Sequence, residues 1–122
     1  MSDRLSLTQI ALLSAYAAGM AGGQVLFKVA ALRFAGSAPL GDRVLALLQN
    51  WVFLLALALY LGLAVLWVWI LSFTPLSRAY PFVALAFAIT PVLASILFTE
   101  PMTIRLAIGI AVILCGLILV TG

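Results

Sequence analysis

The sequence predicts an all-α membrane protein with four transmembrane helices that works as a dimer. Two observations set the class. Hydrophobic residues make up 67% of the 122 residues and charged residues only 7%, more apolar surface than a soluble domain of this size can bury. The apolar residues also fall into four long runs, at about 8–31, 50–72, 79–98 and 103–121, each near the ~20 residues that a helix needs to cross a bilayer core. No segment shows the short alternating pattern of a barrel strand, so the spans are helices. The runs occupy nearly the whole chain, and residues 1–122 are expected to form a single domain.

The first run follows Arg4 and contains Ala15-Tyr16-Ala17, which has the form of a signal-peptide cleavage site. The run continues well past Ala17, which favours a spanning helix. Ala15, Gly19 and Gly23 recur every fourth residue, the spacing of small residues at a helix seam. The end of this run, "AGGQVLFKVAALR", carries Gln24 and Lys28 before Arg33. A lysine at the centre of a membrane helix costs ~3 kcal/mol, so its presence needs a reason. Three are open. Lys28 can snorkel to the interface, it can pair with Glu100 near the same membrane face, or it can bind an anion. In the last case Gln24 helps, because it lies four residues before Lys28 on the same helix face.

The first break, "RFAGSAPLGDR", is turn-rich through Gly36, Pro39 and Gly41. Asp42 is expected as the N-cap of a helix that runs on into the second span, with Trp51 as an interfacial anchor. The second break, "SFTPLSR", turns at Pro75, and the third, "TEPMTIR", is as short. Short links make neighbouring helices antiparallel and place both chain ends on one side of the membrane. That side has Arg4 and Arg78. The other has Arg33, Arg43 and Arg105, with Lys28 close by. The bias leans slightly toward a cytoplasmic location for the first and third loops, and it is weak enough to permit insertion both ways.

The third run opens with "SRAYPFV". Arg78 is either an interfacial arginine or a fork for phosphate oxygens. Tyr80 is either part of the aromatic belt or a ring and hydroxyl for a sugar. Pro81 is tolerated in the first turn. Pro91 lies mid-helix and is expected to kink it, freeing a carbonyl near Phe87. In the fourth run Gly109 and Gly116 share a face and, with Gly19 and Gly23, are candidate dimer-packing positions.

Chemistry is sparse. No acid pair, nucleophile–base pair or phosphate-cradling loop occurs, so no catalytic residue and no enzyme activity is expected. The chain has no histidine, and its one cysteine, Cys115, lies in the fourth run. No metal site and no cofactor are expected. The net charge of +3 is spread over loops and helix ends, which gives no surface for nucleic acid.

Three motifs together resemble a known group. Gly23-Gln24 followed by Lys28, "LSRAYP" at 76–81, and Glu100-Pro101 before the last helix resemble the small multidrug resistance group of the drug/metabolite transporter superfamily. The likeness is greater to its lipid-handling branch, the small subunits that flip aminoarabinose-phosphoundecaprenol. The drug-exporting branch carries a membrane-embedded glutamate about two turns before the lysine. Here that place is Met20, and no acid occurs between Asp3 and Asp42. The carboxylate that would bind cationic drugs is missing.

The resemblance therefore implies a transporter or flippase of the bacterial inner membrane, moving a polyprenyl-phosphate-linked sugar or similar anionic lipid between leaflets. Lys28 and Arg78 would take the phosphate, and Gln24 and Tyr80 the sugar. Glu100 would be a structural or coupling acid. The partners implied are that lipid, the membrane lipids, and a second copy or a paralogue. Lys28 and Arg78 lie toward opposite faces, roughly 20–30 Å apart by helix rise. An antiparallel pair of subunits would bring one of each to both faces. Two other functions fit the residues: a proton-coupled exporter of small cations using Glu100, and a non-transporting membrane subunit beside a glycosyltransferase.

Overall fold

The computed structural model describes residues 5–34 and 39–121, and these are helical almost throughout. Asp3, Arg4 and Gly36, each invoked above, lie outside the described residues. Four helical stretches, Leu7–Arg33, Trp51–Leu71, Leu76–Leu97 and Ile104–Thr121, are long and apolar enough to cross a membrane.

Helix α1 (Leu7–Phe34) starts at a reciprocal cap. The Gln9 amide N–H donates to Ser6 Oγ at 3.1 Å, and the Ser6 N–H donates to Gln9 Oε1 at 2.7 Å. Two backbone donors that the helix itself cannot use are thereby satisfied. The Gln9 side-chain amide also donates to the Phe73 carbonyl and to Thr74 Oγ1, both at 3.0 Å. This ties the start of α1 to the far turn. The helix then runs unbroken through Ala15-Tyr16-Ala17, and Ala17 is fully buried.

Asp42 is not the cap expected of it. It lies in the first turn of a separate short helix, α2 (Leu40–Leu48), which has Pro39 at its N-cap and no buried residue. The chain breaks at Asn50, whose backbone is extended and whose Oδ1 accepts from the Val52 N–H at 3.0 Å. Asn50 is the cap of helix α3 (Trp51–Leu71), because its short amide reaches back to a first-turn donor that the apolar residues around it cannot satisfy. Helix α2 sets Leu40, Val44 and Leu48 on its length with Asp42 and Arg43 between them, the pattern of a helix lying in the membrane interface. Trp51 is exposed beside it, with the Arg33 guanidinium 5.6 Å from its ring centre.

The third span begins at Leu76, after Pro75. It comprises α4 (Leu76–Ala79), a 3₁₀ turn (Tyr80–Phe82) and α5 (Val83–Leu97). The tight turn falls at Pro81, which has no N–H for the carbonyl four residues back. Pro91 lies within α5, which continues through it. Helix α6 (Ile104–Thr121) is capped by Thr103, whose Oγ1 accepts from the Leu106 N–H at 3.1 Å.

Helix α1 is the hub, packing against α3 on one side and α5 on the other. Its face toward α3 carries Gly19 and Gly23, which meet Leu63 and Tyr60 of α3, flanked by Tyr16 on Trp67 and Phe27 on Tyr60. Gly19 and Gly23, expected at a subunit seam, face α3 of their own chain. A Cβ on Gly19 would lie 2.9 Å from Leu63, and one on Gly23 would lie 2.5 Å from the Tyr60 ring. Both glycines are consumed inside the chain, where they let α1 and α3 approach closely. Gly109 and Gly116 have nothing within 4 Å of such a Cβ, and α6 buries only Leu117 among its described residues.

Candidate functional site

At the end of the bundle that holds the chain termini the helices are packed shut. Leu13, Ile70, Ala79, Phe82 and Leu117 form a buried cluster there, and Tyr16 stacks on Trp67 with ring centres 4.8 Å apart. Toward the other end a cleft lies between α1 and α5.

The inner portion of the cleft is a cavity of about 380 Å³, lined by Met20 and Gln24 of α1 and by Val83, Ala86, Phe87, Thr90 and Pro91 of α5. The outer portion, about 220 Å³, is lined by Gln24, Val25, Lys28, Thr90, Ala94, Phe98 and Glu100. Gln24 and Thr90 are common to both and form a polar waist. The inner part is apolar except at that waist, with Met20 among its lining. The outer part is polar. The Lys28 ammonium lies 3.5 Å from Glu100 Oε2, with both side chains a little under half exposed. Of the three roles open to Lys28, the geometry shows this pairing, and shows it at the rim of a cavity.

Gln24 is held from behind. Its side-chain amide donates to the Tyr60 hydroxyl at 2.9 Å, and that hydroxyl donates to the Met20 carbonyl at 3.0 Å. The Tyr60 ring stacks on Phe27 at 5.1 Å, nearly parallel, and Phe27 meets Phe53 at 6.1 Å. Tyr60 seats only because residue 23 has no side chain. This positioning residue escaped the sequence analysis, as did Thr90. A signal existed for Tyr60: it is the only hydroxyl in the apolar span Trp51–Leu71.

Glu100 is placed by an unusual turn. Thr99 has φ 51°, in the left-handed region that a β-branched residue seldom adopts. The Glu100 N–H donates to the Ala94 carbonyl at 3.4 Å, which folds the turn back over α5. Left-handed backbone at such a residue costs roughly 1–3 kcal/mol. A half-exposed ion pair contributes roughly 0.2–1 kcal/mol in return. The pair is therefore weak enough for a ligand to open.

Arg78 and Tyr80 do not join this cleft. The Arg78 guanidinium donates from Nη1 to the Val120 carbonyl at 2.7 Å. It thus serves the end of α6, where orphan carbonyls favour a cation. Tyr80 is 63% exposed on the outer side of the 3₁₀ turn. Gln9 marks the level of this end, and Lys28 is nineteen residues further along α1, or roughly 28 Å by helix rise. Among the described residues no group of three or more histidine, cysteine or acidic side chains could hold a metal.

No family model and no solved structure matches the chain. Curated relatives do. A protein of Serratia proteamaculans is 40% identical over 100 residues, covering 82% of this chain and 84% of the relative. One of Sodalis glossinidius is 32% identical over 94 residues, covering 77% and 79%. One of Yersinia pestis is 33% identical over 79 residues, covering 65% and 68%. Each is named as a probable 4-amino-4-deoxy-L-arabinose-phosphoundecaprenol flippase subunit, ArnE.

Proposed function

This chain belongs to the family of those flippase subunits, and from that premise we propose that it moves a polyprenyl-phosphate-linked aminosugar between the leaflets of the bacterial inner membrane. The observation that supports this best is the polarity of the α1–α5 cleft. Its rim carries Lys28 and Glu100, its waist carries Gln24 and Thr90, and its inner part is apolar. A phosphate-linked sugar can enter at the rim, exchanging its hydration for the ammonium and the amide. The cleft volume is in the range of small-molecule sites and far too small for the long polyprenyl tail, which stays in lipid.

One chain offers this site at one end only. On our reading the working unit is a dimer, of two copies or of this chain with a paralogue, arranged antiparallel. Lys28 of one subunit and Arg78 of the other then serve each face, and Tyr80 meets the sugar beside Arg78. Two features favour an added subunit: α6 buries little within its own chain, and its Gly109–Gly116 face is open.

The test uses vesicles carrying the purified chain, alone and with its companion subunit, and a short-tailed aminoarabinose-phosphoprenol. A membrane-impermeant amine reagent reports how much of the lipid reaches the outer leaflet. Flipping makes nearly all of it reactive, and bare vesicles leave the inner pool untouched. Lys28→Ala should slow the transfer about tenfold or more, the worth of a charge-assisted contact. Transfer at the original rate by a correctly inserted variant would remove Lys28 from the site. The antiparallel arrangement is tested by labelling single cysteines at Ser77 and Gln49 in a Cys115→Ala background. In a homodimer each should react in part from both sides of the cell membrane. Labelling of each site from one side only, with no paralogue bound, rules the arrangement out.

A further inference from the structure

The outer cavity is not a cationic site. Among the described residues of one chain Lys28 is the one cation that lines it, and Glu100 stands 3.5 Å from that ammonium at the same rim. A simple phosphate would gain from the lysine and be repelled by the carboxylate almost equally. A receptor for a plain anion is better served by an uncharged residue at position 100. The backbone adds a second observation. Thr99 holds a left-handed conformation at φ 51°, and this turn carries the Glu100 carboxylate over α1. The same left-handed residue closes α5 just after its C-cap Phe98, so the helix stop fixes where the carboxylate stands.

The two charges match a ligand that carries both signs. In 4-amino-4-deoxy-L-arabinose linked to a lipid phosphate, the ammonium and the phosphate sit on opposite sides of one sugar ring. We propose that Glu100 is the residue that selects an aminated head group. The zwitterion opens the Lys28–Glu100 pair and replaces each partner, phosphate on the Lys28 ammonium and the sugar ammonium on the Glu100 carboxylate. Gln24, fixed by Tyr60, and Thr90 lie at the waist below them for the ring hydroxyls. In the empty protein the pair closes on itself, which satisfies both charges and holds the rim neutral. A head group bearing only a phosphate cannot open it without leaving a carboxylate beside the phosphate. This rests on the flippase reading above and adds the chemistry by which the site chooses its cargo.

The experiment compares two probes on the full chain in nanodiscs. One is a short-tailed aminoarabinose-phosphoprenol, and the other is the same lipid with its amine acetylated, which keeps size and phosphate but removes the positive charge. Binding is read by native mass spectrometry. Wild type should bind the free-amine lipid about tenfold more tightly, as one charge-assisted contact would give. Glu100→Gln should lose that preference while retaining the acetylated lipid. A purely structural Glu100 would instead lower binding of both lipids together, leaving the ratio intact. Equal binding of the two probes by wild type overturns the proposal without any variant, so misfolding of Glu100→Gln cannot shield it. If both lipids bind and flip alike, the flippase reading stands and the selectivity fails. If neither binds with or without a companion subunit, both fall.

Discussion

The two ends of this bundle are built from the same four spans and behave as opposites. At the termini end the side chains interlock: Leu13, Ile70, Phe82 and Leu117 are buried together, Gln9 ties α1 to the turn at Thr74, and Arg78 ties the third span to the last carbonyls of α6. At the other end a cleft lies between α1 and α5, with a half-exposed ion pair at its rim. A transporter needs both properties, a fixed part against which helices lever and a part that parts for the solute. Rigidity here is made of buried carbon and bonds within the protein, and openness of polar groups whose bonds a ligand can replace.

That contrast has a consequence for mutation: changes in the buried cluster of the closed end should alter stability and leave selectivity alone, and changes at the rim of the cleft should do the reverse. The largest effect on stability is expected at Leu13, which is 0% exposed. Leu13→Ala should cost about 2–5 kcal/mol, seen as a marked loss of melting temperature in detergent, while the surviving folded protein keeps its preference for an amine. If selectivity changes as much as melting, the two ends are not separable.

A smaller effect is expected where the ends meet. Gly23→Ala places a methyl 2.5 Å from the Tyr60 ring, and displacing the ring should cost about 1–3 kcal/mol and loosen Gln24. Gly22→Ala is the control, because nothing lies within 4 Å of its Cβ. It should be neutral or stabilise the helix by ~0.5–1 kcal/mol. Equal behaviour of the two variants, in melting and in lipid binding, would show that Tyr60 does not hold the site.

The smallest change should come from Glu100→Gln. Loss of the half-exposed pair should shift stability by less than about 1 kcal/mol, so melting is nearly unchanged even as amine selection goes. Aggregation or a large drop in melting would make the pair a structural member and extend the rigid end to the rim.

The four spans and the family likeness were legible in the sequence because apolar length and the short motifs around Lys28, Arg78 and Glu100 are local. What faces what was not. The spacing of Gly19 and Gly23 marks a close approach without saying which helix makes it, and Leu63 and Tyr60 of the same chain fill the gap. Asp42 had the chemistry of a cap, but Asn50 had the position, since the chain breaks there. Tyr60 and Thr90 were hidden inside apolar runs, and their role depends on how α1, α3 and α5 are rotated toward one another. Lys28 had three roles on paper, and distance alone pairs it with Glu100.

The fit of Tyr60 against Gly23 also constrains descent. A lineage that acquires alanine at position 23 while the ring at 60 remains must displace that ring, whereas one that loses the ring first can keep the glycine. The two steps therefore have an order. Once Tyr60 is replaced by a smaller residue, the nearest obstacle to a side chain at 23 is gone, and the aromatic ladder through Phe27 and Phe53 loses one end. Relatives with a smaller residue at 60 should be found along that path, with glycine at 23 surviving as a relic in those that have only begun it.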